Sequence, residues 1–370
     1  MNTPAINNSR IQSIDLLRGL VMVIMALDHT RDFFHKDAWV QALDPTNMAT
    51  TTPALFFTRW ITHFCAPLFV FLAGTSGWLQ AMRKSKKELS VFLITRGLWL
   101  VLIEITVVNL SFSFDIHFMI IGLQTIWSIG ISMIILGLMI WLPFYLILAL
   151  GLIIVFGHNS LDFYESQLPK GPFGPVTPGW EYDILHHIGF YHLWGNHYLF
   201  IFYPFLSWAG LMMLGYCFGK VIADADEQRR RSSMLYLGLG IIVLFVVVRY
   251  IDIYGDPDHW QTQDRGWIYT ILSFFNTHKY PPSLLYMCMT IGPGILFLRA
   301  FYKTKNRFTD IISVYGRVPF FYYIFHFYLI HFVSMLFFLG RGHSFESGLS
   351  TNPQQLLPNF VVPGEGVDLW

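Results

Sequence analysis

The chain has 370 residues, of which 54% are hydrophobic and 13% are charged, whereas a soluble domain contains roughly 25% charged residues. The formal net charge of +1 argues against the strongly basic surface that attracts nucleic acid. The three cysteines form neither a zinc-binding spacing nor a disulfide framework. We therefore expect a protein of the lipid bilayer, with no nucleic-acid partner and no bound metal.

Long apolar stretches predict an all-α integral membrane protein, a polytopic bundle of about nine transmembrane helices of about 20 residues each. Helices are expected because lipid cannot satisfy exposed backbone groups. Residues 364–370 look like the lead-in to another span, so we expect about ten helices in a complete chain, all in a single domain. The predicted spans are residues 14–34, 54–82, 91–110, 119–142, 143–157, 199–222, 233–250, 281–301 and 311–339.

Positive charges in the connections between spans predict the orientation. Residues 83–87, 220–231 and 299–307 are rich in lysine and arginine, and cytoplasmic loops carry an excess of these residues. All three connections lie on one side if every predicted span crosses the bilayer, which puts the N-terminus in the cytoplasm. The long loops 158–198 and 251–280 then face outward, where loops of this length are often functional.

Two titratable residues share one face of the first predicted helix. Arg18 and His29 stand eleven positions apart, which at about 100° per residue is within about 20° of three full turns and about 16 Å along the axis. A guanidinium suits an anionic substrate group, and an imidazole suits proton transfer. Asp32 lies one turn beyond His29 and could orient its ring. In a purely structural alternative, Arg18 pairs with Asp15 and the later charges form a solvated helix end.

The later spans carry further polar groups. Arg59 and His63 are four residues apart in the second span, hence on one face of an α-helix; an interfacial arginine and a packing histidine are the alternative. His326 and His331 are five apart, about 140° around a helix, so at least one is expected to pack. Glu104, Gln124 and Arg317 are further intramembrane polar residues, each of which could simply satisfy a neighbouring helix.

The outer loops contain histidines and one conspicuous lysine. Four histidines form a loose cluster without a zinc-binding spacing, and no cysteine or carboxylate of a known zinc pattern completes them. Lys279 stands at the entrance of the eighth span, where it could recognise a substrate or merely be solvated. The four histidines are His186, His187, His192 and His197.

Several stretches resemble the heparan-alpha-glucosaminide N-acetyltransferase catalytic-domain family, in its bacterial branch. Each stretch is moderately specific alone, and their order along the chain makes the set more specific. The spacing of Arg18 and His29, with ten residues between them, is also similar to the signature of membrane O-acyltransferases that modify surface polysaccharides. The stretches that carry the family resemblance are residues 10–19, 67–74, 122–124, 276–283 and 316–331.

The resemblance implies a transmembrane acyltransferase fold in a bacterial inner (plasma) membrane. It also implies acetyl-CoA bound from the cytoplasm and a sugar acceptor, an amino sugar or a glycan, on the outer side. Arg18 would hold the coenzyme A end or a phosphate, and His29 would act as general base or as acetyl-accepting nucleophile. Lysosomal members place their histidine slightly later, where His35 stands here, so the two histidines compete. A homo-oligomer is possible. The candidate residues are Asp28, His29, Asp32 and His35 for chemistry, Arg18, Arg59, His63 and Gln124 for acetyl-CoA, and Arg31 and Lys279 for substrate.

A second interpretation from another functional class is a proton-coupled exporter. Asp28, His29, His63 and Glu104 could form a proton relay through the membrane. The absence of an internal sequence repeat counts against a transporter.

Overall fold

The computed structural model of the protein describes residues 12–36, 38, 44–171, 174–349 and 357–367. Residues 10 and 11 of the family resemblance, and the end of the predicted lead-in at 368–370, lie outside the described residues. The first helices are α1 Gln12–Phe34, α2 Pro53–Trp60, α3 Cys65–Ala81, α4 Lys86–Ile103, α5 Asn109–Ser113, α6 Thr125–Met139, α7 Phe144–Gly157 and α8 Ser160–Glu165. They are followed by α9 Trp180–His186, α10 Leu206–Ile222, α11 Glu227–Ile251, α12 Trp267–Phe275, α13 Leu284–Ala300, α14 Arg307–Arg317 and α15 Pro319–Gly340.

The apolar helices are those of a multi-pass membrane protein. Five helical segments of the described chain are long and apolar enough to cross a bilayer, and three shorter helices are also apolar. Helix α1 belongs to neither group because of its charged residues. The count of about nine spans therefore stays a prediction. The single domain also stays a prediction. The long segments are Pro53–Ala81, Lys86–Ser113, Phe144–Glu165, Glu227–Ile251 and Pro319–Gly340, and the shorter helices are α6, α10 and α13.

The ninth predicted span is wrong as a single helix, because the structure divides it into α14 and α15. Pro319 has no N–H and disfavours helical geometry in the residue before it, so the chain breaks at Val318. Pro319 then begins α15, where its missing N–H costs nothing. Arg317 therefore ends α14 instead of lying inside a continuous span.

Two predicted spans begin as strands. Residues 120–123 form β1, which pairs in parallel with β5, His197–Ile201, and β5 pairs antiparallel with β4, Gly189–Trp194. The predicted helical starts at 119 and 199 are therefore wrong, because these β-branched and aromatic residues satisfy their backbone across strands. A second, two-stranded sheet joins β2, Lys170–Gly171, to β3, Gly174–Pro175.

Glu104 caps the beginning of a neighbouring helix. A π-helical turn, Glu104–Val108, follows α4, and the fully buried Glu104 carboxylate accepts a hydrogen bond of 3.0 Å from the backbone N–H of Trp127. The first N–H groups of a helix lack partners within it, and a negative charge there is favourable. This contact agrees with the interpretation that Glu104 satisfies a neighbouring helix.

Four helix pairs approach each other closely through facing glycines. A Cβ atom added at any of these eight positions would lie 1.7–2.8 Å from an atom of the partner helix, closer than real Cβ atoms come. In lipid, where hydrophobicity does not drive helices together, such small residues permit tight backbone packing. The pairs are α1 with α14 (Gly19, Gly316), α3 with α10 (Gly74, Gly215), α4 with α6 (Gly97, Gly130) and α11 with α13 (Gly238, Gly292).

We expect Gly316→Ala to lower the unfolding free energy by about 1–3 kcal/mol, the usual cost of overpacking, because its Cβ would collide with the carbonyl of Asp15. Gly240→Ala is the matched control, since nothing lies within 4 Å of its added Cβ and alanine favours a helix. Thermal unfolding in detergent measures both. Equal stability of the two variants would contradict the packing argument.

Candidate functional site

A cavity of about 710 Å³ lies among α1, α3, α4, α6 and α15 and brings together nine of the ten candidate residues. Its volume is within the range of small-molecule sites. The structure thus collects residues that are far apart in the sequence around one space. The nine are Arg18, Asp28, His29, Arg31, Asp32, His35, Arg59, Gln124 and Lys279.

His63 is the candidate that does not line the cavity. A 3₁₀ turn, Ile61–Phe64, separates α2 from α3. Because such a turn has about three residues per turn, a spacing of four no longer keeps Arg59 and His63 on one face. Arg59 faces the cavity, whereas the His63 ring is buried 5.3 Å from the ring of Tyr286. The predicted shared face is therefore wrong.

Asp28 is the centre of an ion network at the C-terminal end of α1. Its carboxylate accepts hydrogen bonds from Arg59 at 2.5 Å and from Arg31 at 2.6 Å, and Arg31 also donates to Asp32 at 2.9 Å. Asp28 is 6% exposed, and removing one partner of a buried ion pair leaves an uncompensated charge. The network holds both guanidinium groups at the cavity wall, so Asp28 acts on the site by positioning them.

The His29 ring is held by a second histidine, His326 of α15. The His29 Nδ1 and His326 Nε2 atoms are 2.6 Å apart, and the His29 ring stacks on Phe327 with ring centroids 4.1 Å apart. The structure therefore orients His29 through His326, whereas Asp32 accepts from Arg31. His331, five residues further on, binds the carbonyls of Ser111 and Asn359 instead, which agrees with one packing histidine.

The hydrogen bonds of His326 determine which nitrogen of His29 is available. His326 Nδ1 lies 2.9 Å from the carbonyl oxygen of Tyr322, which can only accept, so this nitrogen carries a proton. In neutral His326, Nε2 is then an acceptor and His29 Nδ1 is the donor. Neutral His29 is left with an unprotonated Nε2, and its ring lines the cavity. The pair therefore presents a proton acceptor to a bound molecule.

Arg18 lies at the other end of the cavity. Its guanidinium donates to the Leu72 carbonyl at 2.9 Å and to the Ser76 hydroxyl at 2.7 Å, both in α3. Arg18 is therefore tied to the bundle interior. Arg18 and His29 line the same cavity, which agrees with their predicted common face, and the two ends of the cavity are chemically different.

The remaining candidates also line the cavity. His35 follows α1 and forms an isolated β-bridge with Val367, and Gln124 joins β1 to α6. The Lys279 ammonium lies 5.0 Å from the ring centroid of Tyr280. The Tyr280 hydroxyl lies 3.5 Å from Arg59, which connects this lysine to the ion network.

One of the four loop histidines has carboxylate neighbours that sequence reasoning missed. His186, Glu165 and Asp162 place ligand-type atoms within 4.8 Å of one another, so the expectation that no carboxylate completes the histidines is wrong for His186. Its Nδ1 lies 2.9 Å from Glu165, and its Nε2 lies 3.2 Å from the His158 ring. Local hydrogen bonds thus account for this cluster.

A charged network fixes the loop that carries Lys279. Arg249 is fully buried and donates to backbone carbonyls, among them those of Phe274 and Asn276. Burial alone lowers the pKa of His278, but its hydrogen bond to Asp258 and the nearby carboxylates outweigh burial and raise that pKa to about 9. Burial raises the pKa of Asp256, which accepts from the Ser283 hydroxyl, to about 6.

Sequence reasoning missed two residues that bear on the cavity. His326 was visible as an intramembrane histidine, but its partner depends on how α15 packs on α1, and no local spacing encodes that packing. Arg96 lines the cavity from α4. An arginine inside an apolar span is itself a signal of function, and it could have been noticed.

A sequence profile of the catalytic region of heparan-alpha-glucosaminide N-acetyltransferase matches residues 10–247 of this chain. The matched part includes Arg18, Asp28, His29, Arg59 and Gln124, and it ends before Lys279 and His326. No curated protein matches the chain.

The His278 network predicts a pH dependence of stability. The folded-state pKa of about 9 lies above the ordinary value of 6.5, so the stabilisation is fully present below about pH 6.5 and is lost as the pH rises through about 9. Asp256 contributes a similar loss of stability at lower pH, as the pH rises from its ordinary pKa of 3.8 through its folded-state pKa of about 6. We expect the melting temperature to fall between pH 6.5 and 9, and His278→Gln to remove that fall. An unchanged pH profile in the variant would contradict this account.

Proposed function

We infer the function of this chain from the fact that it belongs to the heparan-alpha-glucosaminide N-acetyltransferase catalytic family. We propose that it is a membrane acyltransferase that moves an acetyl group from cytoplasmic acetyl-CoA to a sugar, an amino sugar or a glycan, on the outer side of a bacterial inner membrane. The observation that carries the proposal is the cavity, which holds a guanidinium at one end and an oriented histidine at the other.

His29 is the proposed general base. Transfer forms a C–N or C–O bond to the acetyl carbon and breaks the thioester C–S bond. The acceptor loses one proton, which passes to His29 Nε2 and then to the departing sulfur, so that free thiol is released. A positioned base of this kind contributes typically 10²–10⁴-fold to a rate.

His326 supports this step without touching the acceptor. It keeps the proton of neutral His29 on Nδ1, and its Nε2 accepts from that N–H when His29 becomes imidazolium. The cations Arg31, Arg59 and Lys279 surround the same end of the cavity. They are the proposed groups that bind the acceptor and stabilise the negative charge that develops on the acetyl oxygen.

A proton-coupled exporter receives no support from this arrangement. Two of the four residues of the relay considered from the sequence, His63 and Glu104, do not line the cavity. Glu104 is used to cap α6, and His63 packs beside Tyr286.

His29→Gln is expected to lower the rate of acetyl transfer by about 10²-fold or more while leaving acetyl-CoA binding within a few-fold of wild type. His35→Gln, the matched control on the competing histidine, should retain most activity. The measurement is transfer of labelled acetyl from acetyl-CoA to a panel of amino sugars, with binding measured separately. Full activity of His29→Gln would show that His29 is not the base. The base would then be His35 if His35→Gln were inactive, and the proposal would be wrong if both variants were active.

His326→Phe keeps a ring but removes the acceptor for His29 Nδ1, so we expect kcat to fall by about 10–100-fold, the value of a hydrogen bond to a charged group, with little change in KM. His326→Gln retains a side-chain acceptor and should recover part of the loss. The pH profile of kcat should also move in His326→Phe. Loss of folding without a change in kcat per folded molecule would show a purely structural role.

Label exchange between acetyl-CoA and coenzyme A, without any acceptor, separates a base from an acetyl-accepting nucleophile. The general-base proposal predicts no exchange. Exchange that depends on His29 would establish a covalent acetyl-histidine in its place.

A further inference from the structure

The charges that line the cavity are unevenly distributed. All the carboxylates that line it in the described part of the chain, Asp28, Asp32 and Asp44, lie at or beyond the C-terminal half of α1. The opposite end, around Arg18, also contains Arg96 but no lining carboxylate among the described residues. Two guanidinium groups therefore line one end of the cavity.

Several contacts place Arg96 at the level of Arg18. The tight packing of Gly316 against Asp15 brings the beginning of α15 beside the first turns of α1. Phe320, near that beginning, lies 4.7 Å from the ring of Trp99, and Trp99 is one turn beyond Arg96 in α4. An arginine side chain in a helix also leans towards the helix N-terminus. The N-terminus of α4 follows directly on the C-terminus of α3, so the Arg96 side chain leans towards that end of α3.

Arg96 makes no hydrogen bond or ion pair with any residue that the structure describes. It lies ten positions into α4, about 15 Å from the helix start, in one of the segments apolar enough to span a bilayer. A charge at such a depth is costly unless it meets a partner. Arg18, in contrast, is tied to α3 through Leu72 and Ser76, so one guanidinium is anchored and the other is available.

We propose that Arg96 acts with Arg18 as a pair that binds the diphosphate group of the coenzyme A donor; this assignment extends the proposed function and rests on it. Planar guanidinium groups bind phosphate oxygens through two parallel hydrogen bonds. The lining side chains Ser76 and Gln80 add hydroxyl and amide donors at the same end.

The spacing along the cavity fits this orientation of the donor. Arg18 and His29 are about 16 Å apart along α1, a length comparable with the extended pantetheine arm that joins the diphosphate to the thioester. A diphosphate held between Arg18 and Arg96 therefore leaves the reactive carbonyl near His29. A lipid phosphate could use the same guanidinium groups, but no such length requirement would apply to it.

The test measures binding of coenzyme A and of pantetheine, which lacks the diphosphate and the nucleotide, to the full chain in detergent. Arg96→Gln is expected to weaken coenzyme A binding by about tenfold or more, the effect of losing charge-assisted hydrogen bonds, and to leave pantetheine binding unchanged. Arg96→Lys keeps the charge without the planar guanidinium group, so its coenzyme A affinity is expected to lie between those of wild type and Arg96→Gln. Arg83→Gln is the matched control, because Arg83 carries the same charge near the end of α3 but does not line the cavity.

The outcomes separate this assignment from the proposed function. Equal coenzyme A affinity in wild type and Arg96→Gln would overturn the role of Arg96 and leave the acyltransferase proposal intact. Failure of the wild type to bind coenzyme A at all would overturn both. If Arg96→Gln instead loses co-purified anionic phospholipid, detected by native mass spectrometry, at unchanged coenzyme A affinity, the phosphate belongs to a lipid and the donor assignment is wrong.

Discussion

The close approach of helix backbones at glycine is the constraint on which the site depends. The walls of the cavity come from α1, α3, α4, α6 and α15, and four of these helices are members of glycine-packed pairs. Each pair behaves as one thick element, since neither helix can shift without separating the contact. The cavity is the space left between such elements, so its shape is determined by packing far from the polar side chains that line it.

Charged side chains in the helical bundle have two kinds of surroundings. Asp28 is surrounded by Arg31 and Arg59, and Arg249 is surrounded by backbone carbonyls, so these groups are satisfied inside the protein and serve as fixed points. Arg96 is exposed, lines the cavity and has no such partner among the described residues. The difference separates charges that hold the fold together from one that awaits a bound molecule, because an unbalanced charge in an apolar span is retained only where something compensates it.

The sequence was sufficient for the class of protein and for most of the residues around the cavity, because both follow from local patterns. Apolar length indicates helices, and the spacing of Arg18 and His29 places them on one face. It was insufficient wherever a turn changed the periodicity: the 3₁₀ turn before α3 separates His63 from Arg59, and Pro319 divides a span. It was also insufficient for His326, whose contact with His29 joins positions 297 residues apart and depends on tertiary packing alone.

The 297 residues between His29 and His326 determine the order in which contacts form during synthesis. At about 5–20 residues per second, the ribosome needs roughly 15 s or longer after α1 to produce the part of α15 that holds His29. Helix α14, which fills the glycine groove of α1, is also made late. During most of synthesis, α1 therefore has its groove open, and Arg31 and Arg59 are the early partners for its buried carboxylate Asp28. Helix α1 is therefore among the last of the described helices to complete its packing, although it is made before them.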